Sequence, residues 1–388
     1  MKKVIVGNHA VSWGVALSRA EVIAAYPITP QTQIVEELAE MCADGRLQAR
    51  FVKVESEHSA MAACIGAAAT GVRTFTATSS QGLLLMHELL HWAGLGRLPV
   101  VMADINRAVA PGWNIWTDQN DTLAQRDTGW VQLYCENNQE VLDTTVQAFK
   151  LAETVALPVM IVLDAFFLSH TSEPVDIPSA EAVDAFLPRR EDPMRLDVEN
   201  PHAFGALTTP SVYMEMRLRQ QEAFGRVPET LRKIDREWAS RFGRSWGAIE
   251  TDRVVDAELV LVTSGTVTST ARHVVNECRE RGEKVGLVKI KMFRPFPTDA
   301  LREVLAGVPR VAVLDRNISP GHGGIFAEEL RSALYDLPDR RRPRVDGYVI
   351  GLGGRDVTPA TIEECLERSR RSAGAVSERE DLWVGVKS

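Results

Sequence analysis

Tyr26-Pro27-Ile28-Thr29-Pro30 follows the apolar run Val22 to Ala25 and precedes a segment of helical period. Each proline fixes its own φ and biases the residue before it toward extended backbone, so the stretch reads as a stiff loop presenting Thr29 at the carboxyl end of a strand. In open α/β sheets that edge is where ligands bind. A turn with no other task more often uses Gly, Asn or Asp, and the stretch by itself leaves a structural turn and a binding loop both open.

Working outward, the helix after Pro30 sets Ile34, Val35, Leu38, Met41 and Cys42 on one side and Glu36, Glu37 and Glu40 on the other. β-rich runs at Val22 to Ala25, Phe51 to Val54, Thr74 to Ala77, Pro99 to Ala103 and Pro158 to Asp164 alternate with helical segments. Strands this apolar, joined by crossover helices, predict a parallel sheet covered on both faces in a first domain, residues 1–170. From 171 to 252 prolines crowd and no strand pattern appears, and a polar helix rich in Glu and Arg runs up to Gly243. That region reads as an extended connection that wraps a neighbour, followed by a helix. From 253 to 388 the alternation resumes, with strands expected at Leu259 to Val262, Val285 to Ile290, Val311 to Leu314 and Val345 to Ile350, a second and smaller α/β domain.

The 388 residues are 45% apolar and 25% charged, with a net charge of −8. This composition suits a soluble globular protein and speaks against a nucleic-acid partner, which requires a basic face. The start, Met1-Lys2-Lys3-Val4-Ile5-Val6, lacks the apolar core of a signal peptide, and no apolar run approaches the ~20 residues of a membrane span. A cytoplasmic protein without membrane segments is expected. The five cysteines are dispersed without a Cys-x-x-Cys pair, which suits a reducing compartment and excludes an iron-sulfur site built from sequence-local ligands.

Further motifs punctuate predicted strand ends. Glu57, in Glu55-Ser56-Glu57-His58, opens a helix of small residues and is either a carboxylate favoured by the helix dipole or one that meets a protonated ring nitrogen. Thr78-Ser79-Ser80-Gln81-Gly82 is either an N-cap or a loop for polar ligand groups. Arg107, after the strand ending near Ala103, can hold a carboxylate through both its arms. His87-Glu88-Leu89-Leu90-His91 matches the zinc-protease pattern, but Arg97 stands where a third ligand would be needed, and no metal site is expected. In the second domain Thr263 to Thr266, Phe293 to Pro297, Asp315 to Asn317 and Gly321 to Gly324 read by spacing as structural or interfacial.

Taken together these stretches resemble the α subunit of the 2-oxoacid:ferredoxin oxidoreductases, the pyruvate synthase family of thiamine-diphosphate enzymes. The matching pieces are Tyr26 to Pro30, Glu55 to Ala60, Thr78 to Glu88, Asn106 to Asp121, Arg294 to Pro297, Asp315 to Asn317 and Gly351 to Thr358, in the family's order along nearly the whole chain. The resemblance implies a pyrimidine-type thiamine-diphosphate domain followed by a transketolase C-terminal-like domain. It further implies that Glu57 meets N1′ of the aminopyrimidine, with Ile28 and Ser80 also at the cofactor, that Thr29 contacts substrate, and that Arg107 holds the 2-oxoacid carboxylate. A carboxylate at N1′ favours the imino tautomer that takes the C2 proton.

No Gly-Asp-Gly followed by Asn stands at the spacing that holds Mg²⁺ and diphosphate in these enzymes, so a β subunit is expected to complete the site. Iron-sulfur clusters are expected on γ- and δ-type partner subunits only. The implied reaction is CoA-dependent oxidative decarboxylation of a 2-oxo acid. Pyruvate comes first; Asp104 and Trp113 near Arg107 raise phenylglyoxylate as an alternative, and a non-catalytic scaffold subunit is the alternative of another class.

Overall fold

The computed structural model describes residues 1–189, 194–201, 203–371 and 382–387. Residues 190–193 and 202 of the expected connection, and 372–381 and 388 of the expected second domain, lie outside them. Along the chain the strands are β1 (Lys2–Val6), β2 (Val22–Ala25), β3 (Arg50–Lys53), β4 (Thr74–Thr78), β5 (Val101–Asn106), β6 (Val131–Tyr134) and β7 (Val159–Asp164). They continue with β8 (Ser172–Asp176), β9 (Ile249–Asp252), β10 (Leu259–Thr263), β11 (Val285–Ile290), β12 (Met292–Arg294), β13 (Arg310–Asp315) and β14 (Arg344–Val349).

A seven-stranded sheet has the order β12-β6-β7-β5-β4-β2-β3, and a five-stranded sheet the order β14-β13-β10-β11-β9. Every strand that the apolar runs predicted is present, with its ends within three residues of those expected. Inside each sheet the pairings are parallel except at β12 and β9, and β4, β5, β6 and β7 are buried along their whole length. Burial on both faces is why these strands are continuous apolar runs rather than alternating ones. Among the described residues no helix is long and apolar enough to cross a membrane.

Five strands escaped the sequence pattern. β6 is short and interrupted by Gln132, which is fully buried and donates to the Thr122 carbonyl at 2.9 Å. β12 spans three residues, pairs antiparallel with β6, and so lends an edge strand from the second half of the chain to the first sheet. The connection expected to be free of strands begins with β8, which pairs antiparallel with β1, and ends with β9 on the edge of the second sheet. Pairing needs long-range partners, which local composition cannot reveal.

The helix Pro210–Phe242 also corrects its polar reading. Ala223, Val227, Leu231, Ile234 and Trp238 are buried at spacings of three and four, and this stripe lies on the chain's own Asn138–Val155 helix. Before Gln220 the same helix leaves Val212, Tyr213, Met214, Met216 and Leu218 exposed. Gly243, at φ 70°, closes it in the left-handed conformation that glycine adopts without steric cost.

Between the two sheets sits a buried ionic network. Lys289 of β11 donates to Glu136 at 3.0 Å and Glu140 at 2.8 Å, and Lys291 donates to Thr144 at 2.7 Å. Ser269 and Arg272 also bond Glu136. Burial pushes the Glu140 carboxyl up, but the Lys289 and Lys291 ammoniums outweigh it and hold the group below its usual range. A depressed carboxyl contributes stability that is complete above the unfolded value of about 4.3 and is lost as pH falls through the folded value. Lys289 is raised, since its carboxylate partners outweigh burial, so its contribution persists until pH rises past that folded value. Lys289→Met, which removes the ammonium shared by two buried carboxylates and leaves Glu140 with Lys291 alone as its cation, should destabilise the chain by about 3–5 kcal/mol near neutral pH. Denaturant titration should show the loss shrinking below about pH 4, where Glu140 is protonated in the unfolded chain; a pH-independent loss would mean that packing, not charge, is what the lysine supplies.

Candidate functional site

The loops after β2, β3, β4 and β5 emerge at one carboxyl edge of the first sheet. The loop after β2 is locked from behind: Gln31 donates to the Tyr26 carbonyl at 2.9 Å, and Asn8 to the Pro30 carbonyl at 2.9 Å. Thr29 is thereby left exposed at its tip, with Ile28 half-buried beside it.

Arg107 ties three of these loops together. One guanidinium nitrogen donates to the Thr29 carbonyl at 2.5 Å and the other to Gln81 Oε1 at 2.6 Å, while the Trp113 ring lies 4.8 Å from the guanidinium carbon. Its Nε is buried and has no partner among the described residues. Burial pulls the group below the usual arginine range, against the nearby carboxylates of Asp121, Asp104 and Glu57, which raise it. The result is a guanidinium positioned by two acceptors and an aromatic face, with donor capacity left over.

Ser80 lies in the turn between β4 and the next helix. Its φ of 49° falls in the left-handed region that residues other than glycine seldom occupy. Its hydroxyl, fully buried, lies 2.9 Å from the Ala108 carbonyl and 2.6 Å from Gln81 Oε1 and can donate its one hydrogen to either. Gln81 Oε1 is thus held between Ser80 and Arg107. Nothing in its own sequence context marked Gln81 for this role, because the partner is 26 residues away.

Glu57 is in the first turn of the Glu57–Ala69 helix, yet the cap is its neighbour: Ser56 accepts from the Ser59 amide. The Glu57 carboxylate is 6% exposed and accepts no hydrogen bond among the described residues. It is pressed against Gly82, where an added Cβ would fall 2.5 Å from Glu57 Oε1 and 2.5 Å from Thr78 Oγ1. The Thr78 hydroxyl is likewise buried, with no hydrogen-bond partner among the described residues. A buried carboxylate and hydroxyl with unused hydrogen-bonding capacity, beside a glycine that admits close approach, fit a ring that presents N–H groups. The structure therefore joins Arg107 to Thr29 directly and to Ser80 through Gln81, and sets Glu57 against Gly82, the residue after Gln81.

The histidine motif belongs to an ordinary helix, His87–Leu95. His87 pairs with Gln125 at 2.5 Å, and Arg97 donates to the Ala156 and Val155 carbonyls at 2.7 and 2.8 Å. The second half contributes support to the site's surroundings. Asp315 accepts from the Phe326 and Ala327 amides at 2.8 and 3.2 Å and so caps the following helix, and Arg316 reaches across to Asp164 of β7 at 3.1 Å. Asn114 donates to the Gly353 carbonyl at 2.9 Å, and Gly354 sits so close to Trp116 that a Cβ would lie 2.2 Å from it. Trp116 packs against Phe166 with the ring centroids 4.6 Å apart and the planes tilted by 44°, whereas Trp113 covers Arg107.

Comparisons with known proteins give the family. Residues 14–236 match the family described as pyruvate flavodoxin/ferredoxin oxidoreductase, thiamine diP-bdg, and residues 257–362 match pyruvate:ferredoxin oxidoreductase core domain II. The chain is 48% identical to the ketoisovalerate oxidoreductase subunit VorA of Pyrococcus abyssi, over 100% of this chain and 98% of that one. It is 46% identical to the pyruvate synthase subunit PorA of Methanothermobacter thermautotrophicus, over 99% and 98%. Among solved structures it is similar to a 2-oxoglutarate:ferredoxin oxidoreductase from Magnetococcus marinus, with TM-score 0.73 and 20% identity over 95% of this chain. The chain spans 65% of that longer chain. A split-gene transketolase follows at TM-score 0.55 and 12% identity, covering 95% of this chain and 98% of that one. These structural likenesses concern the fold.

Gly82→Ala tests the close approach. The added methyl collides with Glu57 and Thr78, and overpacking of this kind costs about 1–3 kcal/mol. Thermal unfolding should show that loss; an unchanged midpoint would mean that Glu57 can turn away freely.

Proposed function

The chain belongs to the thiamine-diphosphate-dependent 2-oxoacid:ferredoxin oxidoreductases as an α subunit, and on that premise we propose that Glu57, Thr29 and Arg107 are its contribution to the reaction site. As a family member it is a subunit of a CoA-acylating enzyme that decarboxylates a 2-oxo acid and passes the electron pair toward ferredoxin. When bound, thiamine diphosphate supplies the carbon nucleophile and the electron sink for that chemistry. Glu57 would hold the proton at N1′ of the aminopyrimidine, where a buried carboxylate is most effective because little water competes for it. Ile28 and Ser80 belong to the loops that would flank the ring. A β subunit would hold Mg²⁺ and diphosphate, and further subunits the iron-sulfur clusters.

Arg107 would bind the carboxylate that every 2-oxo acid shares. The observation that carries this reading is the fork itself: a buried guanidinium fastened to Thr29 and Gln81, its Nε without a partner among the described residues, with the buried Glu57 carboxylate nearby. Thr29, exposed at the loop tip, would meet the substrate next to it. For the substrate we favour a 2-oxo monocarboxylic acid with a short aliphatic chain, pyruvate first. The branched acid is the second reading, since a relative at 48% identity is named for ketoisovalerate. An aromatic acid such as phenylglyoxylate rested on Trp113, and that ring lies on the Arg107 guanidinium, which accounts for it without an aromatic substrate.

A panel of 2-oxo acids with CoA and an artificial electron acceptor, assayed on the whole complex, tests the assignment. Pyruvate or ketoisovalerate should give the highest kcat/KM, and a preference for phenylglyoxylate would overturn the substrate reading. Glu57→Gln should cut turnover by about 10² to 10⁴ while the complex still assembles. Near-normal turnover would reduce Glu57 to a structural carboxylate. Arg107→Met should raise KM for every acid in the panel, whereas a change confined to one acid would show that the guanidinium does not hold the shared carboxylate.

A further inference from the structure

We propose that Asp121 is a positioning residue whose buried carboxylate sets the backbone of both loops that deliver Ser80, Gln81 and Arg107 to the site. The inference rests on the reading above for what those loops do. Its structural core stands on hydrogen bonds alone.

Asp121 is fully buried at the start of the short helix Asn120–Leu123. Its Oδ2 accepts from the backbone amides of Ser80 and of Arg107, each at 2.9 Å. Its Oδ1 accepts from Asn106 Nδ2 at 2.6 Å and from the Thr122 amide at 2.8 Å. One oxygen therefore joins the loops that follow two neighbouring strands, β4 and β5, two residues past the end of β4 and one past the end of β5. Both amides lie beyond the ladders, since the β4–β5 register ends at Thr78 and Asp104 and the β5–β7 register at Asn106 and Asp164.

The two tethered residues are those whose backbone direction matters most. Ser80 occupies a conformation uncommon for an L residue, with φ 49° and ψ −119°, and the hydrogen bond its backbone N–H donates to Asp121 holds that N–H inward. That places the Ser80 hydroxyl and the following Gln81 amide group where Arg107 can use them. Fixing the Arg107 amide on the same oxygen starts its side chain from the point that lets the guanidinium reach both Thr29 and Gln81.

The residue type also has a chemical reason. The four N–H donors, and the buried Asp104 carboxyl that also hydrogen-bonds the Asp121 side chain, require an acceptor on both oxygens. An asparagine would turn its own NH₂ against donors on one side. Glutamate would be a methylene too long for the packed site.

Hydrogen exchange and kinetics on the complex test the proposal. In the wild-type complex the Ser80 and Arg107 amides should exchange slowly and at similar rates, since both open only when the one carboxylate lets go. In Asp121→Asn both should exchange at least about tenfold faster, as expected for loss of a hydrogen bond to a charged group, while the central strands keep their protection. KM for the 2-oxo acid should rise by about tenfold or more with KM for CoA unchanged. The double variant Asn106→Asp with Asp121→Asn again pairs a donor with an acceptor at that contact and should recover most of both effects.

Unchanged exchange at Ser80 and Arg107 in Asp121→Asn would overturn the proposal. So would a parallel loss in both KM values, kcat and melting temperature without recovery in the double variant. If Asp121→Asn does not fold, wild-type rates at the two amides that differ by more than about tenfold would also sink it. A complex that turns over no 2-oxo acid would remove the functional reading, and the exchange experiment would still decide whether Asp121 anchors both loops.

Discussion

Charge that is buried must be paired, and the relation between the two halves of this chain follows from that constraint. Lys289 on β11 and Lys291, between β11 and β12, reach into space where water does not, and the acceptors that make this tolerable, Glu136, Glu140 and Thr144, all belong to the first half. Asp164 at the end of β7 repeats the arrangement from the other side, accepting from Thr266 and Arg316. With β12 completing the first sheet, the halves share strands, ions and hydrogen bonds. Separating them would strand charges on both surfaces.

The site depends on this union. The loop carrying Arg107 and Trp113 continues to Asn114 and Trp116, which are gripped by the Gly351–Gly354 turn of the second half. Close contact with Trp116 requires a glycine at 354, whose φ of 77° also lies where glycine is at ease. Rigid support at both ends of the loop limits how far the guanidinium can wander, which is the structural content of preorganisation. Glu57 is placed differently: its helix has its own cap in Ser56, leaving the carboxylate free for other work.

Much of this was legible in the chain alone. Apolar strand runs and the 3.6-residue period of the intervening helices determined a parallel α/β architecture, because burial on both faces leaves no room for alternation. Thr29 between prolines, Glu57 at a helix start and Arg107 after a strand stood out by their places at predicted strand ends, and the resemblance, not their local chemistry, attached roles to them. Asn106 to Asp121 was recognisable as a block without any hint of what Asp121 does.

Tertiary structure alone decided the pairings between residues far apart. Gln81 and Arg107, Lys289 and Glu140, Asn114 and Gly353, and the antiparallel strands β8, β9 and β12 depend on which segments meet, and no local preference encodes that. The stripe on the helix Pro210–Phe242 is the intermediate case: its spacing is written in the sequence, but its polar average hid it until the Asn138–Val155 helix supplied the opposing face. Short-range rules act through a residue's immediate neighbours, whereas a hydrogen bond or ion pair between distant residues exists only once the chain has closed the loop between them.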